Sequence, residues 1–221
     1  MIWGKTYPAP PVNERECLRY AGCRSREAAA EERQLFEACL SEIQGKLSYK
    51  VCWSRFPVKK EGACLDFGFA KVDSAGLAKN LEGCGEIILF AATIGLEIDR
   101  TIRKYTNLSP AKALFFQAIG AERIESLCDA FCEERREELQ AEGKFLKPRF
   151  SPGYGDLPLE MQRDIFRVLD CSRKIGLTLN ESLLMSPSKS VTAIVGIGGE
   201  EYQKEKNKCG ACPNLDCAFR G

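Results

Sequence analysis

Two short stretches of this sequence set chemically capable residues close together. The first is Arg149-Phe150-Ser151-Pro152-Gly153-Tyr154. Pro152-Gly153 fits a type II turn, because proline presets the first central φ and glycine accepts the positive φ of the second; on that structural reading Tyr154 packs against the core. The same residues also bring together an arginine fork, loop amides and an aromatic face, a set that suits a small ligand carrying a carboxylate and a flat base. The second stretch is Cys209-x2-Cys212-Pro213-x3-Cys217, with glycine and proline between the thiols. That spacing is one of metal-binding thiolates. It supplies three ligands, so a fourth falls to Cys171, Cys128, Cys132, another cysteine or an exogenous group. Zinc and iron–sulfur clusters both accept all-thiolate shells, and a tail of free thiols is the plain alternative.

The absence of histidine removes other chemistry. A Ser-His-Asp triad, a His-Cys dyad, His-ligated zinc and His-ligated haem are all excluded. The 32 Lys and Arg against 31 Asp and Glu leave a net charge of +1, so no basic excess argues for nucleic acid. With 44% apolar and 29% charged residues the composition is that of a soluble globular protein. The N-terminal stretch does not read as a signal peptide. The longest apolar run, Ile87 to Leu96, is far shorter than the roughly 20 residues of a membrane span. A cytoplasmic protein with reduced thiols is expected, despite 12 cysteines.

The elements that must position these residues follow from capping and periodicity. Asn13 with Glu16 reads as a capping box opening a short helix to Gly22. Ser25 opens a second helix to about Leu47, with Leu35, Phe36, Cys39, Leu40 and Ile43 on one stripe. LSYKVCWSRF and ACLDFGFAKV alternate as strands, a brief helix spans Ser74–Leu81, and EIILFAAT reads as a buried strand. Ser109-Pro110 caps a long helix to about Glu142, stopped by Gly143. Leu114, Ala118, Ala121, Glu125, Cys128 and Cys132 recur along it; Cys128 and Cys132 read as buried structural thiols and Phe115-Phe116 as core. The run Glu133 to Glu138 reads as a solvated helix end. A loop over 144–157 leads to a helix from Pro158 to Ile175, closed by Gly176. LTLNESLLM and VTAIVGIG read as strands, and Gly196-x-Gly198-Gly199 as a turn rather than a phosphate loop. Helices and strands lack a βαβ rhythm, so the expected class is α+β: a mixed sheet with antiparallel strands packed by long helices, plus a Cys-rich tail. The expected division is 1–199 for the domain and 200–221 for the tail.

From RFSPGYGDLP through IGLTLNESLLMSPSKSVTAIVGIG the sequence resembles the activation domain of cobalamin-dependent methionine synthase, in free-standing form. The resemblance rests on Arg149, Gly153 and Tyr154 in the loop, on Asn180-Glu181-Ser182, on Met185 and Pro187, and on Ser190-Val191. It is looser over the long helix, at Ile124-Glu125-Ser126-Leu127, and little of it precedes residue 85.

The resemblance implies an S-adenosylmethionine site. Arg149 would pair with the ligand carboxylate and Glu125 would accept from its amino group. Main-chain groups of Ser151 and Gly153 would read the adenine, Tyr154 would line the pocket, and Tyr202 is a candidate for a further tyrosine. Glu125 also has a plainer reading, as a helix-surface glutamate among Glu122, Arg123 and Asp129. The implied role is reductive methylation of cob(II)alamin, in methionine biosynthesis. The cobalamin would be carried by a separate methionine synthase or other corrinoid protein, with an electron donor such as flavodoxin or ferredoxin. Cys209, Cys212 and Cys217 lie outside the resemblance. They support an alternative, a thiolate-metal electron-transfer or activator module for another corrinoid methyltransferase.

Overall fold

The computed structural model describes residues 1–23 and 30–199. In chain order its elements are β1 (Trp3–Thr6), α1 (Glu14–Tyr20), α2 (Ala30–Ile43), β2 (Lys50–Pro57), β3 (Lys59–Glu61), β4 (Cys64–Asp66), β5 (Lys71–Asp73), α3 (Ala75–Asn80), β6 (Cys84–Thr93), α4 (Glu97–Leu108), α5 (Pro110–Gln140), β7 (Phe145–Leu146), α6 (Met161–Leu169), α7 (Cys171–Ile175), β8 (Thr178–Leu179), β9 (Met185–Ser186) and β10 (Ser190–Gly198).

Five strands form the main sheet in the order β1-β2-β6-β10-β7, every pairing antiparallel. Because β6 and β10 are apolar on both faces, they occupy the middle and the sheet is covered on both sides. Side chains alternate between the two layers. Ile88, Phe90 and Ala92, with Val51, Trp53, Ala193 and Val195, meet α1, α2, α4 and α5 in one core. Ile87, Leu89 and Ala91, with Cys52 and Ile194, meet Leu77, Phe150, Leu157, Met161, Ile165 and Leu169 in the other. The α+β class is therefore observed.

The long helix α5 begins as expected: Ser109 accepts from the Lys112 amide and Pro110 occupies the first turn. It ends where Gly143 adopts φ 67° and the Lys144 amide returns to the Leu139 carbonyl at 2.9 Å. Phe115, Phe116, Cys128 and Cys132 are buried, as their spacing suggests.

Glu122 and Arg123 are not on the helix surface. Each is 2% exposed, and Arg123 Nε donates to Glu122 at 2.6 Å. The guanidinium also donates to the carbonyls of Pro10 and Pro11, both at 2.6 Å. Glu122 accepts from Ser126 Oγ at 2.6 Å and from the Asn13 amide at 3.0 Å. This modifies the expected capping box. The Asn13 side chain does accept from the Glu16 amide, but Glu16 pairs with Arg19, and the second arm of the box comes from Glu122 on α5.

Several boundaries differ from expectation. The helix after Pro158 starts at Met161 and splits into α6 and α7, because Asp170 adopts the left-handed conformation at φ 49°. LTLNESLLM forms a hairpin of two short strands rather than one strand. Asn180 Oδ1 accepts from the Leu184 amide, turning the chain between β8 and β9. ACLDFGFAKV breaks at Gly68 and contributes to a separate three-stranded sheet, β3-β4-β5. Gly196 and Gly198 remain in β10 and make no turn. Helix α4 and strand β1 were not anticipated, and α2 ends at Ile43, before a positive φ at Gly45. Ser25, Tyr202 and the cysteine tail lie outside the described residues. Among the described residues no helix is long and apolar enough to cross a membrane.

Removing one member of a buried ion pair strands the other. Glu122→Ala should therefore cost about 3–5 kcal/mol of stability, read as a lower urea midpoint. A loss under 1 kcal/mol would show that the pair is dispensable.

Candidate functional site

The loop that carries Arg149 is an extension of the sheet edge. After β7, the Lys147 amide donates to the Gly196 carbonyl at 2.9 Å. Phe150 and Ile194 then exchange both backbone hydrogen bonds at 2.9 Å. The chain turns next: the Tyr154 amide donates to the Ser151 carbonyl at 3.0 Å, with Gly153 at φ 84°. That is the type II turn the sequence calls for. The Gly153 amide is taken by the Leu157 carbonyl at 2.9 Å, closing the loop on itself.

A second anchor holds the far side. Asp156 accepts from Ser74 Oγ at 2.5 Å and from the Gly76 amide at 3.2 Å, at the start of α3. Hydrogen bonds from the Ser74 hydroxyl and the Gly76 amide hold its carboxyl below the ordinary aspartate value. A Cβ on Gly76 would lie 2.8 Å from Asp156 Oδ1, so this approach requires glycine. Sequence reasoning recognised the short helix at Ser74 but missed Asp156. The available signal was an acidic residue in the loop matched by the polar N-terminus of a short helix.

The structure joins two of the residues singled out from sequence. Arg149 Nη2 donates to Glu125 at 3.0 Å and to Asp129 at 2.8 Å. Glu125 and Asp129 lie one turn apart on α5 and so share a face. Among the described residues, Arg149 Nε and Nη1 make no hydrogen bond, so half of the fork is available. Burial works against the Arg149 charge, but the surrounding Cys128, Glu125, Asp129 and Cys132 outweigh it and raise its pKa. Burial in turn raises the Cys128 thiol, and pushes Cys132 up to about 11. These are inert thiols.

Tyr154 does not pack against the core. It is 68% exposed, and its ring stands edge-on to Phe150 at 5.2 Å, so the buried aromatic of the loop is Phe150. Ser151 is half-buried and Gly153 exposed. The site is an open ledge. Two surface hollows lie elsewhere: about 260 Å³ between Trp3, Trp53, Arg55 and Arg135, and about 420 Å³ between Arg163, Phe166 and Leu179.

Among the described residues no group of three or more His, Cys, Asp or Glu is gathered to hold a metal. Cys209, Cys212 and Cys217 lie outside those residues. Cys128 and Cys132 are buried in the core beneath α5, and Cys171 in the opposite one.

Residues 77–204 match the family described as vitamin B12 dependent methionine synthase, activation domain. The chain belongs to that family. It is also similar to a solved structure, the crystal structure of the MetH reactivation domain bound to AdoHcy. The TM-score is 0.67 over 89% of this chain and 78% of that one, at 18% identity, a likeness of fold alone. No curated protein matches the sequence. The matched residues contain β6, β7, β10 and α5, the elements that surround Arg149.

The folded pKa of Asp156 is depressed, so its contribution is fully present above the ordinary value of 3.8 and lost as pH falls through the folded value. The Gly76 amide shift should titrate with a midpoint below 3.8. Ser74→Ala should move that midpoint upward, and an unmoved midpoint would remove the hydroxyl as its cause.

Proposed function

We propose that the ledge around Arg149 binds S-adenosylmethionine, and that the bound methyl donor serves reductive methylation of cob(II)alamin on a separate cobalamin-dependent methionine synthase in the cytoplasm. The observation that carries this reading is the half-engaged Arg149 guanidinium beside Glu125, within an activation-domain fold.

The charges are complementary. The methionyl group is a zwitterion, and Arg149 with Glu125 offers one charge of each sign. A carboxylate on Nε and Nη1 of Arg149 and an ammonium on Glu125 extend one ion pair into a chain of alternating charge. Arg149, Glu125 and Asp129 together carry a net charge of −1. The ligand, with its sulfonium, carries +1.

The loop backbone adds the neutral part. The Ser151 amide and the Gly153 carbonyl make no hydrogen bond among the described residues, whereas the Ser151 carbonyl and Gly153 amide are spent on the turn. One donor and one acceptor on a rigid turn suit the edge of adenine, and Tyr154 offers an exposed face beside them. These groups bind and orient; none is placed to move a proton.

When cobalamin is present it supplies the nucleophile for the methyl group after one-electron reduction. This chain has no histidine to offer cobalt as an axial ligand, which fits a corrinoid carried by a partner. The electron would come from a flavodoxin- or ferredoxin-type donor. The tail cysteines favour a second reading, a thiolate-metal electron-transfer module that does not bind the methyl donor. Calorimetry separates the two.

Anaerobically purified protein titrated with S-adenosylmethionine should show saturable one-to-one binding. Arg149→Ala should weaken it by about 1.5–3 kcal/mol, the usual worth of a charge-assisted hydrogen bond. Unchanged affinity in the variant would take Arg149 out of the site. Absence of binding by folded wild-type protein would favour the electron-transfer reading.

A further inference from the structure

Arg149 is one positive charge set between two carboxylates, Glu125 at 3.0 Å and Asp129 at 2.8 Å. Among the described residues it is the one cation that pairs with Asp129. The thiols beneath add nothing to the count, since burial raises Cys128 and Cys132 and keeps them protonated. Arg136, two turns farther along α5 from Asp129, is paired with Glu133 and does not cancel the surplus. A surplus of one negative charge is therefore built into the ledge. We propose that Asp129 is a specificity-determining residue, favouring a ligand with a cationic sulfur over the same ligand with a neutral one. The discrimination rests on the ledge being an S-adenosylmethionine site, and it separates the methyl donor from its demethylated product, S-adenosylhomocysteine.

Charge counting gives the direction. Donor and product share a carboxylate and an ammonium and differ at sulfur, which is cationic in the donor and neutral in the product. With the product bound, its carboxylate joins Glu125 and Asp129 against Arg149 and one ammonium, and one negative charge is left over. With the donor bound, the sulfonium supplies the missing positive charge and the count closes.

Position gives Asp129 this part rather than Glu125. Glu125 is the acid assigned to the ammonium. Asp129 lies one turn beyond it, and residues so spaced have Cβ atoms roughly 5–6 Å apart. The sulfur is three bonds from the carbon that bears the ammonium, so it falls within range of that second carboxylate. Coulomb attraction needs no contact. The Asp129 side chain is 72% exposed, so the attraction is screened and worth about two- to fivefold in affinity. That is enough to rank two ligands, though too little to hold one.

Asp129 also competes with the ligand carboxylate for Arg149. Its removal frees Nη2 and tightens the grip on donor and product alike, so the ratio of their affinities isolates the charge on sulfur. Methyl transfer leaves the bonding pair on sulfur and makes it neutral. The product is then the more weakly held of the two, and its release follows from lost charge rather than from movement of the loop.

Calorimetry on the full-length protein reads the ratio of the dissociation constants of S-adenosylhomocysteine and S-adenosylmethionine. Wild type should hold the donor more tightly, and should treat sinefungin, with an amine in place of the sulfonium, like the donor. Asp129→Asn should shrink the ratio about two- to fivefold, and Asp129→Glu should keep it. Added salt should shrink it in wild type and change it little in Asp129→Asn. Glu137→Gln makes the same charge change at another exposed position on α5 and should match wild type. Asp129 is exposed, so its substitutions leave the core untouched. Equal affinity of wild type for donor and product, or an Asp129→Asn ratio equal to that of wild type, would overturn the proposal and leave the ledge as the binding site. Folded wild-type protein that binds neither ligand would overturn the ledge itself, and the selectivity with it.

Discussion

The buried Glu122–Arg123 pair sets the geometry on which the rest depends. Taking two charges out of water is costly, and the cost is offset only where almost every donor and acceptor finds a partner. Here the partners come from outside the helix: the carbonyls of Pro10 and Pro11, the Asn13 amide and, from α5 itself, Ser126. The N-terminal segment is thereby fastened to the middle of α5. The same contacts fix the helix's rotation about its axis. With Glu122 and Arg123 turned inward, Glu125 and Asp129 fall on the flank that faces Arg149. A helix held only by apolar packing could rotate or slide at lower cost and spoil that alignment.

The ledge is consequently assembled from parts that are each anchored separately and meet at Arg149. Its acids belong to α5, its arginine to the edge of the sheet, and its loop to anchors on β10 and α3. Each support is a backbone or charge-assisted contact rather than a yielding side-chain packing contact, the kind of support that preorganised sites require. Openness and rigidity coexist here because the rigidity lies behind the loop, in Phe150 and Asp156, not over it.

The parts of this architecture visible in the sequence were those governed by local chemistry. Ser109-Pro110 and Gly143 delimit α5 because caps act within a few residues, and the double-sided apolar runs of β6 and β10 identify central strands. Helix α4 was missed because it buries only Ile98 fully, so its apolar stripe is thin. Asp170 and Asn180 broke expected continuous elements through backbone and side-chain options that periodicity does not register. The inward turn of Glu122 and Arg123 was illegible for a different reason: their distant partners are main-chain groups more than 100 positions away, the Pro10 and Pro11 carbonyls for Arg123 and the Asn13 amide for Glu122. The resemblance assigned Arg149 and Glu125 to opposite charges of one ligand; their direct pairing with each other was not legible, since nothing in a separation of 24 residues announces it.

A loop tied down at both ends also has a kinetic character. The segment from Phe150 to Asp156 has its two ends pinned and its middle internally bonded, so it has little room to swing over an incoming molecule. Capture at such a surface is a single encounter rather than an encounter followed by closure, and its rate rises in proportion to concentration without levelling off. Departure is equally unobstructed, so the residence time of anything on the ledge is set by the contacts it makes there. A change at one of those contacts then acts on the rate of departure rather than on the rate of arrival.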